Sequence, residues 1–192
     1  MKSRKGKLRI AVDIDGVISD FVGTFIPLVK ERYGIELSQD DIYVHDLFLV
    51  LGITEQETQE LIIETLRRPI RPIPGAVKAL KKINSNHDVH IITARHPSAQ
   101  EITKQWLSDH KIQYDSLIWL KEGNKHLLEK KFDIVIDDHL RELLGFHGKV
   151  KHLVVFDHPW NRTKNVKALV RRVYTWNDIE NLIDELCNES NI

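Results

Sequence analysis

The chain has 192 residues, 42% hydrophobic and 29% charged, with 28 Lys+Arg against 28 Asp+Glu. This length suits one α/β domain with a modest insertion. The zero net charge gives no global signal for nucleic acid, and no apolar run reaches membrane-span length. A single cysteine, Cys187, excludes an intramolecular disulfide and fits a reducing, cytoplasmic location.

Residues 1–7 read as a basic, flexible N-terminus. Leu8 to Val12 form a short apolar run that leads straight into Asp13-Ile14-Asp15-Gly16. Such a run reads as a buried parallel strand, whose carboxyl end is where open α/β sheets hold ligand chemistry. Two carboxylates one residue apart repel unless a cation or a shared proton intervenes. Hard oxygen donors suit Mg²⁺. The plain alternative is a polar turn, since Asp and Gly are common turn residues.

Asp20 to Tyr33 has helical spacing through Phe21, Phe25, Leu28 and Val29. Pro27 predicts a kink or two shorter pieces, and Gly34 ends the run. Ser38 to Asp41 reads as an N-cap with an acid three residues on. Thr54 to Glu57 is a capping box that opens a helix with Leu61, Ile62 and Leu66 on one face. Residues 20–74 therefore read as a small helical cap inserted after the first strand. It returns through the extended, proline-rich Arg68 to Gly75. Residues 8–19 and 75–192 make the core domain.

From there helices and strands alternate. Helices are predicted over 75–83, 97–110 and 124–131, and a last one runs from the Thr175-Trp176-Asn177-Asp178 cap to about Glu189. Strands are predicted over 88–93, 114–120, 132–136 and 151–156, with a short one near 171–174. The alternation predicts a three-layer α/β fold around a parallel sheet of about five strands.

The polar residues at the strand ends converge in one crevice of such a sheet. They are Asp13 and Asp15, then Thr93-Ala94-Arg95, then Asp137-Asp138, then Asp157 to Arg162; Lys125 sits on the short helix between strands. A carboxylate can attack phosphorus, and a second can protonate the leaving oxygen and later activate water. A hydroxyl and free N–H groups can hold phosphate, and a lysine offsets crowded negative charge. Blander readings stand beside these. Thr93 also caps a helix, Arg95 suits a surface ion pair, and Phe21 suits the core. Lys121, Lys130 and Lys131 compete with Lys125. His96 and His139 read as exposed loop residues, and the histidine spacing gives no zinc site. Cys187 reads as a structural thiol. Asp157 to Arg162 reads as a turn that shapes the phosphate site or supports Asp138 indirectly.

The set DIDG (13–16), ITAR (91–95 with Ile91-Ile92), Lys125 and IDD (136–138) resembles the haloacid dehalogenase-like phosphatases. In finer detail the chain is similar to the 5′(3′)-deoxyribonucleotidases of the "5′-nucleotidase, deoxy, type C" family. The finer matches are Asp13 to Val17 with Asp20-Phe21, Pro72 to Ala76, Phe156 to Arg162 and Trp176. The resemblance implies a Rossmann-like core with a small cap, and Mg²⁺-dependent phosphomonoester hydrolysis through an aspartyl-phosphate. It makes Asp13 the nucleophile and a metal ligand. Asp15 becomes the acid/base with its carbonyl on the metal, and Lys125 steadies Asp13. Asp138 is implied as a direct metal ligand, with Asp137 behind it or acting through water. Thr93 and the Ala94 amide would bind phosphate, and Phe21 would face base or sugar.

The family usually carries Thr-Ser-Pro where this chain has Thr93-Ala94-Arg95, so a hydroxyl is lost and a guanidinium able to grip phosphate is gained. The implied partner is a small phosphomonoester, a nucleoside monophosphate first, with no nucleic acid and no membrane; a homodimer stays open. The alternatives are a sugar phosphate or other small phosphometabolite as substrate, or a non-catalytic phosphate-binding regulatory module. Dehalogenation is disfavoured by Asp15, because it needs no leaving-group proton.

Overall fold

The computed structural model describes residues 6–162 and 166–189. Most of the basic start, residues 1–5, lies outside them. Six strands, β1 (Arg9–Val12), β2 (Asp88–Thr93), β3 (Ser116–Trp119), β4 (Ile134–Asp137), β5 (His152–Phe156) and β6 (Arg171–Val173), form one sheet. All neighbours pair in parallel, in the order β3-β2-β1-β4-β5-β6. The chain thus winds outward from β1 on one side and from β4 on the other. The crevice of such a sheet opens where the winding reverses, between β1 and β4.

β1 is only four residues long, yet burial holds it firmly. Ile10, Ala11 and Val12 are each about fully buried, and a buried Val or Ile side chain contributes about 1.5–3 kcal/mol. Alternation sends Ile10 and Val12 to one face and Ala11 to the other. The first face packs on α4 (Ala76–Asn86), α5 (Gln100–Asp109) and α7 (Trp176–Glu189), through Leu80, Leu107, Trp176 and Ile183. The second packs on α6 (Leu140–Gly145), through Leu143 and Phe146. The indole N–H of buried Trp176 donates to Val17 O at 2.8 Å and ties α7 to the loop after β1.

Between β1 and α4 stand α1 (Phe21–Tyr33), α2 (Leu47–Leu51) and α3 (Glu55–Leu66). They share a second apolar cluster, with Phe25, Leu28, Val29, Leu61 and Leu66 buried, which Ala99, Ile102 and Trp160 join from the sheet domain. The Thr54 capping box forms as expected, with Thr54 Oγ1 accepting from Glu57 N–H at 3.2 Å. α1 is one continuous helix through Pro27, not two shorter pieces. Pro27 is on the exposed side, so water can satisfy the carbonyl it leaves without a donor, while Phe21, Phe25, Leu28 and Val29 bury the opposite face.

The chain enters and leaves this helical segment side by side. Asp20 N–H donates to Arg71 O and Ile73 N–H donates to Ile18 O, at 2.9 and 2.8 Å, across the Ser19–Pro72 pairing.

Two elements differ from expectation. The helix predicted over 124–131 is a single turn at Lys125–Leu127. Its apolar residues are only Leu127 and Leu128, and Leu127 is exposed, so no stripe secures a second turn. α6 was not predicted, because its six residues carry too short a pattern. Among the described residues no helix is long and apolar enough to cross a membrane.

Candidate active site

β1 ends at Val12, and Asp13 N–H still donates to Ile136 O of β4 at 3.0 Å, so Asp13 leaves the sheet in register. The chain then turns sharply. Ile18 and Ser19 N–H groups both donate to Ile14 O at 2.8 Å, while Ile14, Val17 and Ile18 are buried beneath. Gly16 makes the turn at φ +75°, and a Cβ there would lie 2.7 Å from Asp138 Cγ. Only glycine lets the loop approach that carboxylate so closely.

Asp13, Asp15, Thr93, Ala94, Arg95, Lys125, Asp138 and Phe21 all line one cavity of about 430 Å³. Asp137 lies just behind, 1% exposed. Lys125 bridges the carboxylates: its Nζ is 2.9 Å from Asp13 Oδ1 and 2.8 Å from Asp137 Oδ2, with its side chain 4% exposed. Burial alone would lower the Lys125 pKa, but Asp13 and Asp137 raise it above the ordinary lysine value, so it stays charged. Lys121, Lys130 and Lys131 make no such contact among the described residues. Asp137 Oδ1 accepts from His139 N–H at 2.9 Å, so both oxygens of Asp137 are already engaged.

Burial, with Asp137 and Asp15 close by and only partly offset by Lys125, pushes Asp13 up to about 7. Burial and Asp137 push Asp138 up to about 8. The carboxylate oxygens of Asp13, Asp137 and Asp138 lie within 4.8 Å of one another. An all-oxygen cluster with more negative charge than its lysine can balance fits a hard divalent cation such as Mg²⁺.

Arg95 departs from expectation. Its Nε donates to Asp15 Oδ2 at 2.8 Å and its Nη2 to Asp15 Oδ1 at 2.6 Å. Nη1 donates to Thr103 Oγ1 at 3.1 Å, and Nη2 also reaches Ser19 Oγ at 3.4 Å. The guanidinium is therefore committed to Asp15 rather than open to a phosphate, and it is buried rather than a surface pair. Burial would raise Asp15, but Arg95 and then Ser19 hold it below the ordinary carboxylate range. Thr93 Oγ1 accepts from Arg95 N–H at 3.1 Å, which leaves the hydroxyl proton to be donated elsewhere. Phe21 both lines the cavity and stacks on Phe25 in the helical cluster, ring centroids 5.6 Å apart.

The Asp157 to Arg162 turn buttresses Asp138. Trp160 Nε1–H donates to Asp138 Oδ2, and Asn161 Nδ2–H donates to Asp138 O, both at 2.8 Å. His158 stacks on Trp160 at 4.2 Å and donates from Nε2 to Gly16 O at 2.6 Å. Arg172 fixes the turn from β6 through Asp157 and Asn161.

The sequence did not reveal His45 against His139, stacked at 3.7 Å across the cavity mouth. Burial and then His45 lower His139 to about 4. Glu142 was also missed: it is 2% exposed, on the unpredicted α6. His96 is exposed, and its Nδ1 accepts from Ser98 N–H at 3.2 Å. Cys187 is half-buried on α7 and packs on the core, in keeping with a structural thiol.

The family model for the 5′ nucleotidase, deoxy (pyrimidine), cytosolic type C protein matches residues 7–189. BH1399 of Halalkalibacterium halodurans, which carries a provisional nucleotidase name, is 28% identical, with 99% of each chain covered. The nucleotidase CA_C3379 of Clostridium acetobutylicum is 23% identical over 96% of this chain and 97% of its own. Among solved structures, the haloacid dehalogenase-like family hydrolase SP0104 of Streptococcus pneumoniae superposes with a TM-score of 0.63 at 13% identity, covering 92% of this chain and 98% of its own. The HAD-hydrolase YfnB of Bacillus subtilis, also provisionally named and solved bound to magnesium, gives 0.62 at 13% identity, over 94% and 100%. Parallel sheet, carboxylate cluster and a family match over residues 7–189 agree: the chain belongs to the type C deoxy 5′-nucleotidase family, phosphoric monoester hydrolases, and shares the fold of the haloacid dehalogenase-like hydrolases.

Proposed function

We propose that the chain hydrolyses nucleoside monophosphates, with Asp13 as nucleophile and Asp15 as acid/base. The observation that carries this reading is the division of labour between the two aspartates. Asp13 is paired with Lys125, and Asp15 is gripped separately by Arg95 and Ser19. One carboxylate is thus kept for attack and the other for proton transfer.

In the first half-reaction an Asp13 oxygen attacks phosphorus, the bond from phosphorus to the leaving oxygen breaks, and Asp15, which must enter this step protonated against the pull of Arg95, gives that oxygen its proton. In the second, Asp15 takes a proton from water as the water attacks the aspartyl-phosphate, which releases phosphate and restores Asp13. Thr93 donates its hydroxyl to a phosphate oxygen, and the Ala94 N–H lies beside it. Lys125 balances Asp13 throughout. Asp13, Asp138 and the Asp15 carbonyl would hold Mg²⁺, with Asp137 anchoring Lys125 behind them; the ion supplies charge stabilisation to the phosphoryl group. Residues 20–74 act as the cap and residues 8–19 with 75–192 as the core. An apolar cluster drawn mostly from residues 21–70 and the paired connections support that division.

Phosphate release from nucleoside monophosphates and sugar phosphates, with Mg²⁺ or EDTA, tests the reading. Mg²⁺-dependent release that ranks nucleotides first is expected. Release that ranks sugar phosphates first would move the substrate to that class, and no release from any would sink the phosphatase.

Arg95→Lys separates two roles for the guanidinium. A lysine cannot reproduce the two-pronged grip on Asp15. If Arg95 orients Asp15, kcat falls roughly 10–100-fold with KM little changed, by analogy with other groups that orient a reactive side chain. A raised KM at constant kcat would return Arg95 to phosphate binding.

A further inference from the structure

Both cations that line the cavity are engaged by its own carboxylates, Lys125 by Asp13 and Asp137, Arg95 by Asp15. Away from them the wall carries Asp46, Glu55, Glu122 and Glu142, and no further Lys or Arg among the described residues. Asp46 and Glu55 come from the segment that covers the crevice, and Glu122 and Glu142 from the sheet side, so the acidic charge surrounds the space beyond the phosphoryl group.

A second, independent feature is the Glu142 side chain. Its Oε1 accepts from Gly123 N–H, but its buried Oε2 has no hydrogen-bond partner among the described residues. A buried carboxylate oxygen without a donor is costly, and a donor on a bound molecule would relieve it.

Resting on the phosphomonoesterase reading above, we infer that the accepted leaving group carries no second anion and offers an O–H or N–H donor to Glu142. A phosphate or carboxylate on the leaving group would meet several carboxylates and no uncommitted cation. At the effective dielectric of a partly buried site, each such encounter weakens binding roughly tenfold or more. A nucleoside with free hydroxyls fits; a bisphosphate or a phosphorylated carboxylic acid does not. The cavity therefore selects by charge before it selects by shape.

The test compares kcat/KM within two matched pairs, in Mg²⁺. One pair is a nucleoside 5′-monophosphate and its 3′,5′-bisphosphate. The other is glycerol 3-phosphate and 3-phosphoglycerate, which differ little in size. The uncharged leaving group is expected to win by roughly 100-fold in each pair, and Glu55→Lys and Glu142→Gln are each expected to narrow the gap about tenfold. Ratios within threefold of unity overturn the inference. A gap that neither variant narrows overturns its assignment to these residues. If no ester is hydrolysed, the catalytic reading fails and calorimetric Kd values on Asp13→Asn compare the same pairs. Tighter binding of the uncharged member then upholds the charge selection alone, and equal affinities or no binding overturn it too.

Discussion

Asp13→Asn is expected to abolish phosphate release, with kcat down by at least about 10⁴-fold, because the nucleophile of the two-step reaction proposed above has no substitute. The amide keeps the size of the side chain but cannot attack phosphorus. The fold should tolerate it. Lys125 retains Asp137 at 2.8 Å, so no buried charge is left unpaired. Asp13 itself is pushed up to about 7, so the native state already strains against its ionised form. The check is single-turnover phosphate release beside circular dichroism. An Asp13→Asn protein that is folded and still releases phosphate at a tenth of the wild-type rate would remove Asp13 from the nucleophile's role.

Asp138→Asn is expected to raise stability and lower activity together. Asp138 keeps its proton up to about pH 8 in the fold, against an ordinary value of 3.8. Between those limits the folded state binds a proton that the unfolded state has released. This residue's contribution therefore makes stability fall as pH rises. Asparagine removes that penalty and keeps an oxygen for the Trp160 indole N–H. In EDTA at pH 8 the variant should be more stable by about 2 kcal/mol, roughly 4–8 °C in Tm for a chain of this size. The gain should shrink toward pH 4. With Mg²⁺ the order should reverse, since the wild type gains a ligand-linked stabilisation that the variant largely loses. Activity should drop roughly 10²–10³-fold, a few kcal/mol of lost charge stabilisation. Thermal melts at the two pH values, with EDTA and with Mg²⁺, check all of these. A variant less stable than the wild type in EDTA at pH 8 would contradict the account. The carboxylate proposed to hold the cation is, without it, a burden on the fold.

Much of the fold was legible because its determinants are local. Leu8 to Val12 and Phe132 to Ile136 announced buried strands by unbroken apolar content, and Thr54 to Glu57 announced a helix start by its own hydrogen bonds. The strand-end acids converged because a parallel sheet brings its carboxyl ends to one edge. What was not legible depends on distant partners. Arg95 reads as a phosphate grip or a surface ion pair until Asp15, 80 residues earlier, takes up the guanidinium. Glu142 lay on a helix too short to leave a periodic trace. Pro27 looked disruptive because the sequence does not say which side of its helix faces water.

The two connections of the helical segment leave and re-enter the sheet domain on adjacent rungs, joined by the hydrogen bonds of Asp20 and Ile73. To the rest of the chain the whole segment is a single closed loop whose ends are already together. Exchanging it for a longer or shorter one changes the loop-closure cost by only about 0.6 kcal/mol per doubling of length. On the cap reading proposed above, an engineer grafting a foreign insert between residues 20 and 71 that keeps the packing on Trp160 would rewrite which molecule is admitted while keeping the chemistry.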